Sequence, residues 1–430
     1  MKTVNVLVFP CGSEVGLELN RALRDVYFIR LIGASSVQDH GKCVYENYIE
    51  GIPFVDSPDF IDRINEIVRE EHIDFIYPAM DQVVDVLSLC RDRLEAELLA
   101  PDIDAVSVAR NKAKTYSRLK EFSFVPKVYK SMGAIDRFPV VVKPQEGYGA
   151  KGVKLVNDLD ELQYYLSHSD TSNVICEYLP GAEYTIDCFT DRFGKIRYLG
   201  CRTRRRIRNG ISVDSELNAV DAEISHIADC IQSRINMRGA WFFQVKRAVT
   251  GEYKLLEVAT RIAGTMGIER AVGVNLPLLT IFDAMGYDVT IDQQFESVEV
   301  DRALYNCFQL NVEFSEVYLD FDDTIIIRNR VNTNIMRFLY QCRNKGIPLY
   351  LVTKHDTDIY EDLEKYCISK NLFTDIIHIS RDDVKYAHIH PKPNALFIDD
   401  SFAERKQMRA AHSIYALGAD SIECLIDFRC

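Results

Sequence analysis

Short β-branched runs alternate with amphipathic stretches from the first residues: Val4–Phe9 is followed by Glu14–Leu23, and 73–77 by 82–94. Apolar runs of period two that feed stretches of helical period predict a parallel sheet with helices on its faces. A helical segment over 111–122 leads into a different texture. From 140 to 258 the strands are longer and hairpin-linked, with turn signals at 191–194 and at Thr250-Gly251. That pattern predicts an antiparallel sheet with packed helices. A third pattern opens near Val312, where strand-like runs at 317–319, 348–352, 376–379 and 395–398 alternate with helical stretches. No internal repeat or low-complexity linker is present. The expected fold class is α/β and α+β multidomain, with domains over 1–108, 109–311 and 312–430.

Composition sharpens this picture. At roughly 100–200 residues per domain, 430 residues suggest two to four domains, and a hydrophobic content of 47% excludes a disordered chain. With 51 basic against 64 acidic residues the formal charge is -13, a field that repels nucleic acid and anionic membranes. No apolar run approaches the roughly 20 residues of a membrane span, and Val4–Phe9 is too short for a signal-peptide core. The 12 cysteines are scattered with no C-x-x-C pair, which fits thiols in a reducing cytoplasm better than a disulfide framework.

Chemistry concentrates in a few segments. The turn Cys11-Gly12-Ser13-Glu14-Val15-Gly16 follows a strand and opens a helix, but Pro10 stands where a dinucleotide fingerprint needs its first glycine. We read it first as a tight strand-to-helix turn, with dinucleotide binding the less favoured alternative. Further on, Lys143 ends a strand before a loop containing Gly147, Gly149, Lys151 and Gly152. Glycines let backbone N–H groups approach phosphate oxygens, and lysines supply point charges. No G-K-[ST] follows, so the segment reads either as a phosphate-covering flap between antiparallel strands or as an ordinary hairpin loop. At Glu177-Tyr178-Leu179 the chain bends towards Glu183, a place where backbone groups could take a base and Glu183 a ribose hydroxyl; solvated carboxylates are the plainer reading.

The hairpin over 240–261 has the most defined geometry. A two-residue turn at Thr250-Gly251 puts Gln244 directly opposite Glu257, and cross-strand neighbours have Cβ atoms about 4.5–5.5 Å apart. Both side-chain oxygens could then reach one Mg²⁺. Glu257, Ala259 and Arg261 share that face, and a bulge would break the pairing. Arg202, Arg204, Arg205, Arg206 and Arg208 form a basic cluster in an acidic chain. It is either a solvated loop or, through Arg204 and Arg206, a clamp for an anionic substrate.

Together these elements resemble the ATP-grasp superfamily over about residues 1–310, in the branch of the carbamoyl-phosphate synthetase large subunit. The resemblance implies that a pre-ATP-grasp Rossmann-like domain precedes an ATP-grasp domain. It implies that Lys112, Lys143, Gly149 and Lys151 attend the phosphates of ATP, and that Glu177, Tyr178, Leu179 and Glu183 hold the adenosine. By the same resemblance Gln244 and Glu257 ligate Mg²⁺ (or Mn²⁺) and Arg261 stabilises the transferred phosphoryl group. Ala259 departs from the family's E-x-N-x-R motif, removing an oxygen donor for a second metal. Such enzymes phosphorylate a carboxylate and let an amine or similar nucleophile attack the acyl phosphate.

The C-terminal region carries a second constellation. Glu316-Val-Tyr-Leu-Asp320-Phe-Asp322-Asp323-Thr324 is an apolar strand running into acids, and two further strands end at Thr353 and at Asp399-Asp400. Carboxylates gathered at strand ends repel one another unless a cation joins them. The motif resembles that of haloacid dehalogenase-like phosphatases over about 312–430. The resemblance implies Asp320 as the nucleophile and Asp322 as the general acid/base, with Thr353 on the phosphoryl group. Asp320, Asp322 and Asp399 (or Asp400) would form the Mg²⁺ site. The family's lysine is either Lys385 or Lys392; Lys385 is preferred because Lys392 sits between two prolines close to the strand. The interval between Thr324 and Thr353 leaves no room for a large cap. The expectation is a cytoplasmic bifunctional enzyme using ATP and Mg²⁺. It would act on a small carboxylate and amine or on a phosphorylated molecule, as monomer or homodimer. The alternative is a phosphatase regulated by a non-catalytic ATP-binding module.

Overall fold

The computed structural model describes residues 2–147, 149, 151–208, 210–310 and 312–429. The chain divides into two compact units, Met1–Leu304 and Tyr305–Cys430. Among the described residues no helix is long and apolar enough to cross a membrane.

The first unit opens with a five-stranded parallel sheet, Val4–Phe9, Ile29–Ala34, Asn47–Ile49, Phe75–Pro78 and Glu97–Leu98. Its spatial order is third, second, first, fourth, fifth. The Val4–Phe9 strand is nearly all buried because helices cover both faces of a parallel sheet. Ser13 caps helix Glu14–Leu23 by accepting from the Gly16 N–H at 3.0 Å. A Cβ on Gly16 would stand 2.4 Å from the Cys11 carbonyl oxygen, so glycine is required where this helix leaves the sheet. The helix expected over 82–94 is shorter, Asp81–Leu89, with a single 3₁₀ turn after it. Arg91 turns back there to the Ala100 and Pro101 carbonyls at 2.7 Å each. Asp81 therefore begins a helix just beyond the fourth strand, next to the first, at the switch point where such sheets bind ligands. The expected boundary at residue 108 falls inside helix Ile103–Arg110 of this same unit.

Two antiparallel sheets follow. The smaller one orders Val128–Tyr129, Asn173–Glu177, Val140–Pro144 and Lys154–Val156. In the larger one Glu183–Thr190 lies between Ile196–Thr203 and Gly239–Arg247, and Tyr253–Ala259 forms an edge. Trp241 is fully buried among Ile186, Cys188, Phe243 and helix Ala222–Arg234, its indole N–H donating to Thr190 Oγ1 at 2.9 Å.

Gln244 does face Glu257, but not through the expected two-residue turn. Ala248 and Glu252 pair around a three-residue loop, 249–251, with Gly251 at φ +92°. This moves the register by one residue, so that Val245 faces Leu255. A bulge at Leu256 moves it back before Gln244 is reached.

A buried charge cluster lies in this unit. Arg202 donates from Nε to Asp187 at 2.6 Å, and Tyr198 donates its hydroxyl to Glu269 at 2.5 Å. Burial, with Asp187 adding, raises the Glu269 pKa to about 8.

The second unit is a five-stranded parallel sheet ordered Asp375–His378, Leu349–Thr353, Val317–Leu319, Leu396–Ile398 and Tyr415–Leu417. The last strand, exposed at Tyr415 and half-buried at Ala416 and Leu417, escapes the hydrophobic pattern. A small hairpin, Ile326–Ile327 with Arg330–Val331, and helix Thr333–Asn344 fill the interval before Thr353.

The folded chain keeps the Glu269 proton until about pH 8, whereas an ordinary glutamate loses it near 4.5. Between those values the folded state holds more protons, so this group's stabilising contribution falls as pH rises. Urea titrations of the wild type and Glu269→Gln across that range should show the variant losing part of the decline.

Candidate functional site

Lys143 sits near the end of the Val140–Pro144 strand with its side chain buried. Its ammonium lies 2.6 Å from the Tyr116 hydroxyl and 3.3 Å from the Leu256 carbonyl oxygen. That carbonyl belongs to the bulged residue. Tyr116, one helical turn after Lys112, donates its own hydroxyl to the same oxygen at 2.7 Å. Among the described residues no carboxylate is within ion-pairing distance of Lys143. Burial holds its pKa below the usual lysine value, with Lys112 adding to the effect. A buried ammonium without a counter-ion is costly, and a phosphate is the chemistry that would complete it.

Asn111 caps helix Lys112–Arg118 through the Lys114 N–H at 3.1 Å and donates to Glu146 at 3.0 Å, tying the helix start to the glycine loop. Lys112 projects to 3.7 Å from Glu257. Lys112, Lys143, Gly149, Tyr178, Leu179, Glu183, Gln244 and Glu257 line one cavity of about 260 Å³. Oxygen donors and cations thus meet in one place, as nucleotide phosphates with a divalent ion require. The exposed Lys151 does not line it.

Three expectations change. Glu177 borders the cavity, but its carboxylate accepts from the Lys127 N–H at 2.8 Å and from Arg137 at 3.3 Å. Only its main chain is left for a base. Arg204 borders the cavity but is engaged within the chain: it pairs with Glu183 and donates to Gln244 Oε1 at 3.0 Å and to the Gly210 carbonyl at 2.6 Å. Arg206 lies outside the cavity, paired with Asp301 at 2.8 Å. The arginine cluster is largely a set of intramolecular ion pairs, since Arg202 binds Asp187 and Arg205 binds Asp214 and Glu299.

A second cavity shares Lys112, Gly149 and Glu257 with the first and adds Asp81, Arg110, Ala259 and Arg261. Arg261 donates from Nε and Nη2 to the two oxygens of Asp81 at 2.9 and 2.6 Å, and from Nη1 to the Ile262 carbonyl at 2.8 Å. Burial opposes charge on Asp81, but Arg261 prevails and its pKa falls below the usual value. Arg110 Nε is buried without a hydrogen-bond partner among the described residues. Sequence reasoning missed Tyr116, Asp81 and Arg110; the i, i+4 spacing from Lys112 and the switch-point rule could have found the first two.

Residues 169–303 match a family model described as ATP-grasp in the biosynthetic pathway with Ter operon. The chain is 26% identical over 188 residues to the carbamoyl-phosphate synthase of Methanobrevibacter smithii, a match covering 37% of this chain and 51% of that protein. It is 22% identical over 325 residues to the carbamoyl phosphate synthase large chain of Clostridium beijerinckii, covering 68% of this chain and 29% of that one. The chain thus spans about half or less of these relatives' lengths. Among solved structures it is similar to the biotin carboxylase domain of Hydrogenobacter thermophilus 2-oxoglutarate carboxylase, in complex with MgADP, ADP and bicarbonate. There the TM-score is 0.56 at 16% identity, over 68% of this chain and 72% of that chain. The ADP complex of Staphylococcus aureus N5-carboxyaminoimidazole synthetase gives 0.56 at 14% identity, over 68% and 81%. The first unit has the ATP-grasp fold.

The compact unit after the ATP-grasp fold gathers its own polar cluster. Single carboxylate oxygens of Asp320, Asp399 and Asp400 lie within 4.8 Å of one another. Lys385, not Lys392, stands among them, 2.7 Å from both Asp320 and Asp399. Lys392 is exposed and lies 3.6 Å from Glu316. Burial raises the Asp320 pKa to about 6 and raises that of Asp399. One ammonium against three carboxylates leaves a net negative pocket, a donor set suited to a hard divalent cation. Thr353 is buried at the neighbouring strand end with its hydroxyl unpartnered among the described residues. Asp322 departs from expectation as a metal ligand: its carboxylate is outside the acidic trio and takes a 2.8 Å hydrogen bond from His355 Nδ1. Asp320, Asp322, Lys385, Asp399 and Asp400 all border a cavity of about 450 Å³.

Calorimetry with Mg·ADP should separate the two basic groups. Lys143→Met should weaken binding about 10- to 100-fold, the value of a charged hydrogen bond, while raising the melting temperature of the nucleotide-free protein. Arg206→Ala should leave affinity within about twofold, because its partner is outside the cavity.

Proposed function

We propose that the ATP-grasp unit is an ATP-dependent ligase and that the second unit is a haloacid dehalogenase-like phosphatase. The domains would be 1–108, 109–311 and 312–430, in a cytoplasmic enzyme. The observation that carries the first half is the buried, counter-ion-free Lys143 on the same cavity as Lys112, Gln244 and Glu257. Lys143 and Lys112 hold nucleotide phosphates, Tyr178 and Leu179 border the base, and Glu183 faces the ribose. Gln244 and Glu257 would hold Mg²⁺, which screens phosphate charge when bound. In the adjoining cavity a carboxylate oxygen of the substrate attacks the γ-phosphorus and the bond to ADP breaks. An amine then attacks the acyl carbon, phosphate leaves with the bonding electrons, and the amine nitrogen gives up its extra proton to the departing phosphate. Arg261, held by Asp81, presents fixed positive charge beside that transfer.

In the phosphatase unit an Asp320 oxygen attacks phosphorus while the ester oxygen departs and takes a proton from Asp322. Water then attacks the phosphorus and gives a proton to Asp322, while the Asp320 O–P bond breaks, returning the carboxylate and releasing phosphate. Lys385 holds Asp320 in place, and Thr353 donates to the phosphoryl oxygens. Asp320, Asp399 and Asp400 would hold Mg²⁺, which neutralises the incoming phosphate charge.

A second reading is favoured by Ala259 and by the occupied donors of Arg261. In it the ATP-grasp unit senses nucleotide and regulates the phosphatase without turnover. A metabolite screen read by mass spectrometry separates the two. ADP formed in step with a new amide or phosphorylated product supports the ligase; unconsumed ATP that alters phosphatase rate supports the sensor.

Hydrolysis of p-nitrophenyl phosphate should require Mg²⁺ and disappear with a chelator. Asp320→Asn should lower it by at least about 10³-fold, as removal of a nucleophile does, and undiminished turnover in that variant would refute the assignment.

A further inference from the structure

The His355 ring occupies a place that the proposed phosphatase chemistry does not use. It follows Thr353 by two residues at the end of the central Leu349–Thr353 strand and borders the acidic cavity. Nδ1 lies 2.8 Å from Asp322 Oδ2, and Nε2 lies 2.6 Å from Asp362 Oδ2. The Thr357 hydroxyl is 2.8 Å from Nε2 and donates to Asp362 at 2.6 Å. The Phe321 ring meets the imidazole edge-on, 5.2 Å between centroids, and the His378 ring is hydrogen-bonded to the His355 carbonyl at 2.7 Å. Asp362 is fixed in turn by helix Ile359–Lys365 and by Lys365 at 3.1 Å. The imidazole is therefore immobilised, whereas the Asp322 side chain is 52% exposed.

We propose that His355, backed by Asp362 and Thr357, is a positioning residue that aims the Asp322 carboxyl group at the departing ester oxygen. This rests on the phosphatase reading and adds to it. An exposed aspartate left to itself samples several rotamers, and fixing it lowers the entropy lost on reaching the transition state. The bond to His355 engages only Oδ2. Oδ1 has no protein partner among the described residues and serves the ester oxygen. When the P–O bond breaks, its electron pair goes to that oxygen, which takes the proton from Asp322. A poor leaving group needs the proton; a good one departs without it.

The test compares two esters in the full-length protein with Mg²⁺. Glycerol phosphate has a poor leaving group and p-nitrophenyl phosphate a good one, and kcat/KM reports events up to leaving-group departure. His355→Gln keeps a donor near Nε2 but loses the one facing Asp322, whereas His355→Asn places an amide near Nδ1. His355→Gln should lower kcat/KM for glycerol phosphate about 10- to 100-fold, within the range of general-acid contributions, and leave the aryl ester within about threefold. His355→Asn should restore most of the loss. Asp362→Asn, outside the cavity, should reproduce the selectivity in weaker form. Equal losses on both esters, or none on either, would overturn the positioning role while leaving the phosphatase standing. A wild-type protein that cleaves neither ester, or an active Asp320→Asn, would remove the phosphatase reading and this inference with it.

Discussion

A lysine ammonium held away from water, with no carboxylate at ion-pairing distance among the described residues, is the constraint around which the ATP-grasp unit is arranged. Among the described residues Lys143 is hydrogen-bonded to the Tyr116 hydroxyl and the Leu256 carbonyl, and dipoles are a poor substitute for an ion. Its neighbourhood makes sense once an anion is added: the Lys112 helix, the glycine loop and the 240–261 hairpin all converge on the same cavity. On the proposed reading, the arrangement gives up stability in the free protein and returns it as binding energy with the guest.

The second unit has the opposite deficit. Asp320, Asp399 and Asp400 crowd around one ammonium, and burial pushes the first two towards protonation. What it lacks is positive charge. One unit thus gathers a surplus of cations and the other a surplus of anions, and perturbed ionisable groups of this kind cluster at functional sites.

Much of this was legible in the chain because strand ends carry chemistry at fixed spacing. The Val4–Phe9 strand and the Glu14–Leu23 helix are where their patterns put them, as is the antiparallel texture after residue 140. Lys143 and Glu257 are named by local motifs, and Lys385 is preferred because Lys392 sits between two prolines close to the strand. The arginine cluster misled because a charge run says nothing about its partners. Asp214, Glu216, Glu299 and Asp301 come from other strands, and only the sheet brings them to Arg205 and Arg206. Asp81 and Arg261 are 180 residues apart, a separation that no periodicity reports. The resemblance gives Glu177 to adenosine, yet its carboxylate accepts from the backbone of Lys127, a contact that no local pattern reports.

The hairpin that carries Glu257 reaches its expected pairing through two departures that cancel, a loop one residue longer than the tightest turn and an extra residue at Leu256. Side chains on a strand alternate with period two, so parity, not length, decides which face a residue shows. Tightening the loop to two residues without a deletion would set Gln244 opposite Val258, and flattening the bulge alone would set it opposite Leu256. Turn and bulge must therefore shift together if Glu257 is to keep facing Gln244.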